Sequence, residues 1–396
     1  MSDSDGNVST KRIIALVFLA SFLILLSSDV QIPTASLFSA EAGASLLQVG
    51  LIASVGSVVR LVFRMPIGLL SDRYGRRPLI LFSAICTTSS LFLLYASASP
   101  LQIMGSMAVN ALGTTITFTI GMTMAAEVYP KRAETGISVF AFASSLASFL
   151  APILCSVLLV RMPIRVTYLV GGLIGITGIV SSVLLPKKRG VRSSFDISKS
   201  LGSIFRNKAV QLVSFLQIPF AISWTTIFTY FPLQASTEMG LLSSEIALLL
   251  SMFSLGMMVI RIPLPRLFGR VSETKLITLA FLDYALVMFT IPLVKESAVL
   301  AILIGAAGMA HGIMFPAMTL HISSNAERMD LGLANAVYGG SGDAVGIVAP
   351  IALSAVITLW GYIMFYYVVF SLNLIALTLM ILIIVRSARQ QKGVTQ

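Results

Sequence analysis

Apolar runs of eighteen or more residues recur along nearly the whole 396-residue chain. Runs of that length can cross the hydrocarbon of a bilayer. There each backbone N–H and C=O must find its partner inside the protein, so the runs read as transmembrane helices. Composition agrees. Charged residues make up 11% and hydrophobic ones 57%, with a mean hydropathy of +0.94, whereas soluble domains carry roughly 25% charged residues. The expected fold class is an all-α membrane protein of twelve spans. They are placed near 13–35, 46–70, 78–97, 101–126, 135–160, 164–185, 209–233, 244–267, 275–294, 298–322, 332–357 and 361–385.

The net charge of +11 does not point to nucleic acid, because no soluble domain exists to carry it. The basic residues sit in alternate connections. Lys11, Arg12, Arg73, Arg76, Arg77, Lys131, Arg132, a cluster from Lys187 to Lys208, Arg266, Arg270, Lys275, Arg328, Arg386, Arg389 and Lys392 fall on one side. Only Arg161, Arg165 and Lys295 fall on the other. The positive-inside rule then places both termini in the cytoplasm of a multi-pass cell-membrane protein. The first apolar run is long and lacks a small-residue cleavage site, so it is expected to stay as a span. Cys86 and Cys155 lie inside apolar spans and imply no disulfide framework.

The longest polar connection divides the chain. It suggests a tail 1–12, a six-span unit 13–185, a linker 186–208, a second six-span unit 209–385 and a tail 386–396. In the linker, Ile197, Leu201, Ile204 and Phe205 recur at helical spacing among basic residues, the pattern of a short helix on the lipid surface. The units also repeat. A shift of 197 positions pairs Glu41 with Glu238, Gly43 with Gly240, Arg64 with Arg261, Pro66 with Pro263 and Arg73 with Arg270. Two units of equal orientation imply a pseudo-two-fold axis along the membrane normal, with a site near the midplane between them.

Between spans 2 and 3 the chain reads Gly68, Leu69, Leu70, Ser71, Asp72, Arg73, Tyr74, Gly75, Arg76, Arg77. This resembles the G-x-x-x-D-R-x-G-R-R loop of the major facilitator superfamily (MFS), matched at every defined position and in the expected connection. The resemblance in topology covers the whole chain. The motif covers this loop and a degenerate partner from Pro263 to Glu273, where Gly269 replaces the acid. The resemblance implies a cytoplasmic gate in which Asp72 meets the N-terminal end of span 11 near Gly332, a charge–dipole latch. Gly68 would allow close helix approach. The alternative is a loop that only anchors to anionic lipid through its arginines. Two efflux-type patterns of the family are degraded: Val109, with Asn110 next to it, stands before Gly113 where an Arg is usual, and span 5 keeps the proline, Pro152, but has Ala147, Ala151 and Cys155 in place of glycines.

Charges inside spans are costly, so each needs a reason. Asp29 in span 1 and Arg60 in span 2 are candidates for a proton acceptor and for its counter-ion or an anchor for an anionic solute; a structural ion pair is the alternative. In span 11 stands Asp343, and in span 10 His311, whose ordinary pKa near 6.5 suits a proton carrier. Asn110, Trp224, Tyr230 and Tyr338 are further candidates for the solute or proton pathway, against simple packing. Gln217 and Asn335 belong to the same group. Asp283 and His321 are expected to be structural.

Together these residues imply a secondary transporter that moves a small organic solute by alternating access, with protons as coupling ion and Arg60 favouring an anion. A proton-driven multidrug antiporter is the alternative. A non-transporting sensor with the same fold would be expected to carry a signalling extension. The chain shows no phosphate-binding Gly-Lys loop, no metal-spaced cluster and no Ser/His/Asp set. It is therefore expected to be no enzyme, to need no cofactor or metal, and to act as a monomer.

Overall fold

The computed structural model describes the backbone of residues 2–128, 133–186, 206–325 and 331–394. Side chains are described over 12–71, 73–128, 135–186, 206–324 and 334–386. Among these residues there is no strand. Ten spans run Arg12–Asp29, Leu46–Ser71, Arg76–Ala96, Pro100–Val128, Thr135–Leu159, Ile164–Val183, Lys208–Thr237, Ser243–Arg261, Glu273–Leu293 and Ser297–Ser324. An eleventh helical stretch, Ala334–Arg386, is long enough for two. It turns at Gly361, whose φ of 75° and ψ of 177° only glycine adopts easily. Spans 11 and 12 are therefore 334–360 and 362–386, and the expected twelve-span class is met.

Side chains close the helix ends. Ser45 and Gln48 form a reciprocal capping box before span 2, Ser99 caps span 4, and Asn207 accepts from Ala209 N at 2.9 Å before span 7. The two largest departures from the expected boundaries each fall at a proline. Span 1 ends at Asp29, not near 35. Pro33 has no N–H to give, so the chain turns through 30–34 before a short helix, Ala35–Glu41. Span 8 stops at Arg261 ahead of Pro263, and a separate short helix follows, Leu264–Phe268.

Contacts divide the chain into two units: 1–194 with Ala235–Ser251, and 195–234 with 252–396. In the first unit, span 1 packs on spans 5 and 6, span 3 on spans 4 and 6, and span 4 on span 2. Ile24, Ala84, Ile120, Ala125, Phe140 and Ala147 fill the core between them. In the second unit, span 7 meets span 11 through Tyr230 and Pro350, and span 12 through Ser223 and Asn373. Phe289 of span 9 packs on Tyr367 and Phe370 of span 12. The repeat is visible in the backbone too. The paired glycines Gly43 and Gly240 both have positive φ, 79° and 69°, just before spans 2 and 8.

Hydrocarbon gives helices no hydrophobic reason to associate, so close packing rests on small residues. A Cβ on Gly308 would stand 1.9 Å from the Phe253 carbonyl oxygen, and one on Gly256 2.0 Å from that of Gly305. Spans 8 and 10 touch backbone to backbone there. Gly68 does not act this way: a Cβ on it meets nothing within 4 Å among the described residues. The expected linker helix, and Lys131, Arg132 and Arg328, lie outside the described residues.

Gly308→Ala should destabilise the protein by about 1–3 kcal/mol through overpacking. Gly105→Ala, where a Cβ meets nothing within 4 Å, should leave it unchanged. Unfolding midpoints in detergent check both.

Candidate functional site

Asp29 is the last residue of the first span, and the chain unwinds immediately after it. Its side chain is 9% exposed. Ser148 of span 5 donates to Asp29 Oδ2 at 2.6 Å. One residue earlier, Ser28 donates to Asn110 Oδ1 at 2.9 Å, and Gln31 Nε2 donates to the same oxygen at 2.6 Å. Asn110 Nδ2 in turn donates to Ser90 Oγ at 2.9 Å. A polar layer thus ties spans 1, 3, 4 and 5 together. Asn110, 1% exposed, is its hub: both lone pairs of its oxygen are used. Gln31 Oε1 is left buried without a hydrogen-bond partner.

Arg60 of span 2 is half-buried. Its Nη2 donates to Ser57 Oγ at 2.7 Å, and a Cβ on Gly56 would lie 3.3 Å from Nη1. The guanidinium therefore folds back one turn along its own helix, over a glycine that leaves room for it.

The loop between spans 2 and 3 is built on Gly75, with φ 92° and ψ 166°, a conformation that L side chains avoid. Arg76 is buried, donates to Ser71 Oγ, and pairs with Glu127 Oε1 of span 4 at 2.7 Å. Arg77 donates to the carbonyl of Val183, the last residue of span 6, where a cation complements the helix dipole. Arg73 lies over the Tyr74 ring at 5.5 Å. The two consecutive arginines thus hold spans 3, 4 and 6 at one membrane end. The side chain of Asp72 and those at the start of span 11, Gly332 included, lie outside the described residues, and so does the latch.

In the second unit His311 sits in an aromatic setting that single-residue inspection of the sequence did not reveal. Its ring stacks on Phe220 of span 7 at 4.7 Å and 20°, and lies 4.8 Å from Trp224 and 5.3 Å from Phe253 of span 8. Nδ1 meets the Tyr284 hydroxyl of span 9 at 3.3 Å. His311 and Trp224 are brought together. Tyr230 and Tyr338 are both buried; the first donates to the Pro350 carbonyl, the second to Met318 Sδ at 3.3 Å. Asp343 is buried and follows Gly342, on whose Cα the Gln217 amide rests: a Cβ there would stand 2.9 Å from Nε2. His321 pairs with Glu273 at 3.4 Å, in keeping with a structural role. Asp283 leaves Oδ2 buried without a hydrogen-bond partner.

Two wider π-type turns lie in these spans, Thr117–Gly121 in span 4 and Thr226–Tyr230 in span 7. Such turns shift the helix face and often mark functional segments. Sequence inspection missed Ser148, Gln31 and Tyr284. Serine, glutamine and tyrosine are common in membrane helices, and only the fold shows that these three meet Asp29, Asn110 and His311.

The family model described as Major Facilitator Superfamily matches residues 17–282 and 213–396. The chain belongs to the major facilitator superfamily. Among similar sequences is the uncharacterized MFS-type transporter YfkF of Bacillus subtilis (strain 168), 26% identical over 117 residues. That match spans 29% of this chain and 30% of the relative. Two solved structures share the fold. The nucleoside transporter NupG, in a mutant form, superimposes with a TM-score of 0.79 at 11% identity, covering 93% of this chain and 99% of that one. The human organic anion transporter MFSD10 (TETRAN) has a TM-score of 0.69 at 16% identity, covering 94% and 99%. These relatives are transporters, not enzymes.

Replacing the hub, Asn110→Leu, should strand the Ser28 hydroxyl and the Gln31 amide, while Ser90 keeps its bond to the Thr87 carbonyl. The expected cost is about 1–3 kcal/mol per unsatisfied group, read as a lower unfolding midpoint in detergent. Asn110→Ser, which keeps an acceptor, should lose less.

Proposed function

We propose that this MFS chain is a secondary active transporter that moves a small organic solute across the cytoplasmic membrane by alternating access, coupled to protons. The Asp29–Ser148 contact supports this most directly. A carboxylate at membrane depth costs about 2.5–3.5 kcal/mol on insertion scales. Here it stands at the one place in span 1 where the helix opens, hydrogen-bonded to a neighbouring span. A group so placed can take a proton on one side of the membrane and release it on the other. One proton crossing 100 mV supplies about 2.3 kcal/mol, enough for roughly fifty-fold solute accumulation.

Arg60, seated over Gly56, is the anchor for an anionic group on the solute, and His311 and Asp343 are secondary carriers in the other unit. The names of the two structural relatives, a nucleoside and an organic anion transporter, fit a solute of this class. The motif residues Gly68, Asp72, Arg73, Gly75, Arg76 and Arg77 form the gate on the cytoplasmic side, where both termini also lie. The functional unit is the monomer, with bundles 13–185 and 209–385 joined by the linker 186–208. Multidrug antiport is less favoured, since span 5 lacks the glycines of efflux members.

Reconstitution into proteoliposomes tests this. Solute counterflow should occur, and an imposed pH gradient should drive net uptake. Asp29→Asn should lower gradient-driven uptake at least about tenfold, the loss of one protonation step, while counterflow persists. Gradient-driven uptake equal to wild type would remove Asp29 from the proton path. Absence of counterflow for every solute tried would remove transport.

A further inference from the structure

The internal repeat carries one contact over in altered form. At the shift of 197 positions Arg76, the first residue of span 3, is matched by Glu273, the first residue of span 9. In the first unit Arg76 pairs with Glu127, near the end of span 4, at 2.7 Å. In the second, Glu273 Oε1 meets His321 Nδ1, near the end of span 10, at 3.4 Å. Corresponding helix ends are tied in both units. The charges are exchanged, however, and an imidazole stands where the first unit has a fixed charge.

The exchange has physical consequences. A helix start favours an anion and a helix end a cation. Glu273 and His321 agree with that preference, whereas Arg76 and Glu127 both oppose it. An Arg–Glu pair keeps both charges across the physiological range. A His–Glu pair has both only while the imidazole is protonated, and histidine is the side chain whose ordinary titration falls between pH 5 and 8. The His321 side chain is 15% exposed and that of Glu273 25%. Water can therefore exchange the proton, yet the pair is sheltered enough to escape full screening by salt. Other charges nearby are turned to solvent. Arg266, Arg270 and Lys275 around the start of span 9, and Arg206 and Lys208 at the start of span 7, are exposed. Arg261 of span 8 follows Ile260, which packs at Gly312, more than two turns from His321. Glu327, Arg328 and Asp330, beyond the end of span 10, lie outside the described residues.

We propose that His321 and Glu273 form a pH-sensitive tie: a protonated His321 holds the ends of spans 9 and 10 together, and loss of that proton releases them. The sign follows from the charges. The tie is complete at acid pH and weakens as pH rises through the histidine range. In the orientation proposed above, these ends face the cytoplasm. Helix ends held together resist the bending that alternating access requires, so acidification of the cytoplasm slows exchange. That regulatory meaning rests on the transport function proposed above; the tie itself does not.

Ser272 and Ser323 flank the pair and are exposed, whereas Cys86 and Cys155 are buried. Spin labels on Ser272→Cys and Ser323→Cys therefore report the separation of the two helix ends. In detergent the label-to-label distance distribution should be narrow at about pH 5.5 and broad at about pH 8, either side of the histidine range. The ratio of held to released ends should change about fivefold, the upper end for a partly exposed pair. Glu273→Gln should give the broad distribution at both pH values. His321→Arg should give the narrow one at both. So should the exchanged pair, Glu273→Arg with His321→Glu, which copies the first unit. A distribution that ignores pH in the labelled protein with the pair intact overturns the tie, and so does a pH response that survives Glu273→Gln. Counterflow at equal pH on both sides separates the two claims. At about pH 5.5 it should run about fivefold slower in wild type than in Glu273→Gln. Distances that respond to pH without counterflow of any solute keep the tie and sink transport. Counterflow with the same pH response in wild type and Glu273→Gln keeps transport and sinks the regulation.

Discussion

Inside hydrocarbon, a polar group that lacks a protein partner has none, and the molecule is organised by that shortage. Backbone groups meet it by forming helices, and helix ends meet it with the caps at Ser45, Ser99 and Asn207. Serines and threonines along the spans donate to carbonyls of their own helices, as Ser54 does to Gly50 and Thr115 to Ala111. Polar side chains left over from this local accounting must find one another across helices. In the first unit one such layer has Ser28, Gln31, Ser90 and Asn110 holding spans 1, 3 and 4, with Asp29 reaching Ser148 in span 5, and Ser83 meets Thr117 at another level.

The two units solve the same problem with different materials. The first is polar at its centre and relies on amide and hydroxyl hydrogen bonds. The second is aromatic, with rings from spans 7, 8, 9 and 10 gathered on His311. The close approach of spans 8 and 10, made possible by Gly256 and Gly308, is what brings Phe253 under the imidazole. The internal repeat shows in the matched glycines before spans 2 and 8, but not in the chemistry of the centres.

The described spans differ in how firmly their helices are held. Arg76 and Arg77 fix the ends of spans 3, 4 and 6 by an ion pair and a carbonyl contact. By contrast, span 1 opens after Asp29, and spans 4 and 7 carry wider turns near their middles. Weakened helix ladders at those points let the backbone bend where polar side chains replace the lost bonds.

Sequence alone determined the class of fold, because the length and apolarity of the runs leave no other solution in a bilayer, and a charged loop at one connection identified the superfamily. It also picked out Asp29, Asn110, Trp224 and His311, since polar and large aromatic residues in apolar runs stand out by composition. Tertiary structure decided what each one touches. Asn110, a pathway candidate by position, proved to be the hub of a buried network. Tyr230 and Tyr338 spend their hydroxyls on a carbonyl and a thioether, and a Cβ on Gly68 would meet nothing within 4 Å among the described residues. Proline moved two span ends by several residues. The physical reason is one of range. Membrane partition depends on a local sum over about twenty residues, which a sequence displays directly. A hydrogen bond such as Ser148 to Asp29 depends on which faces of helices 119 positions apart meet, and that is settled only when all of them pack.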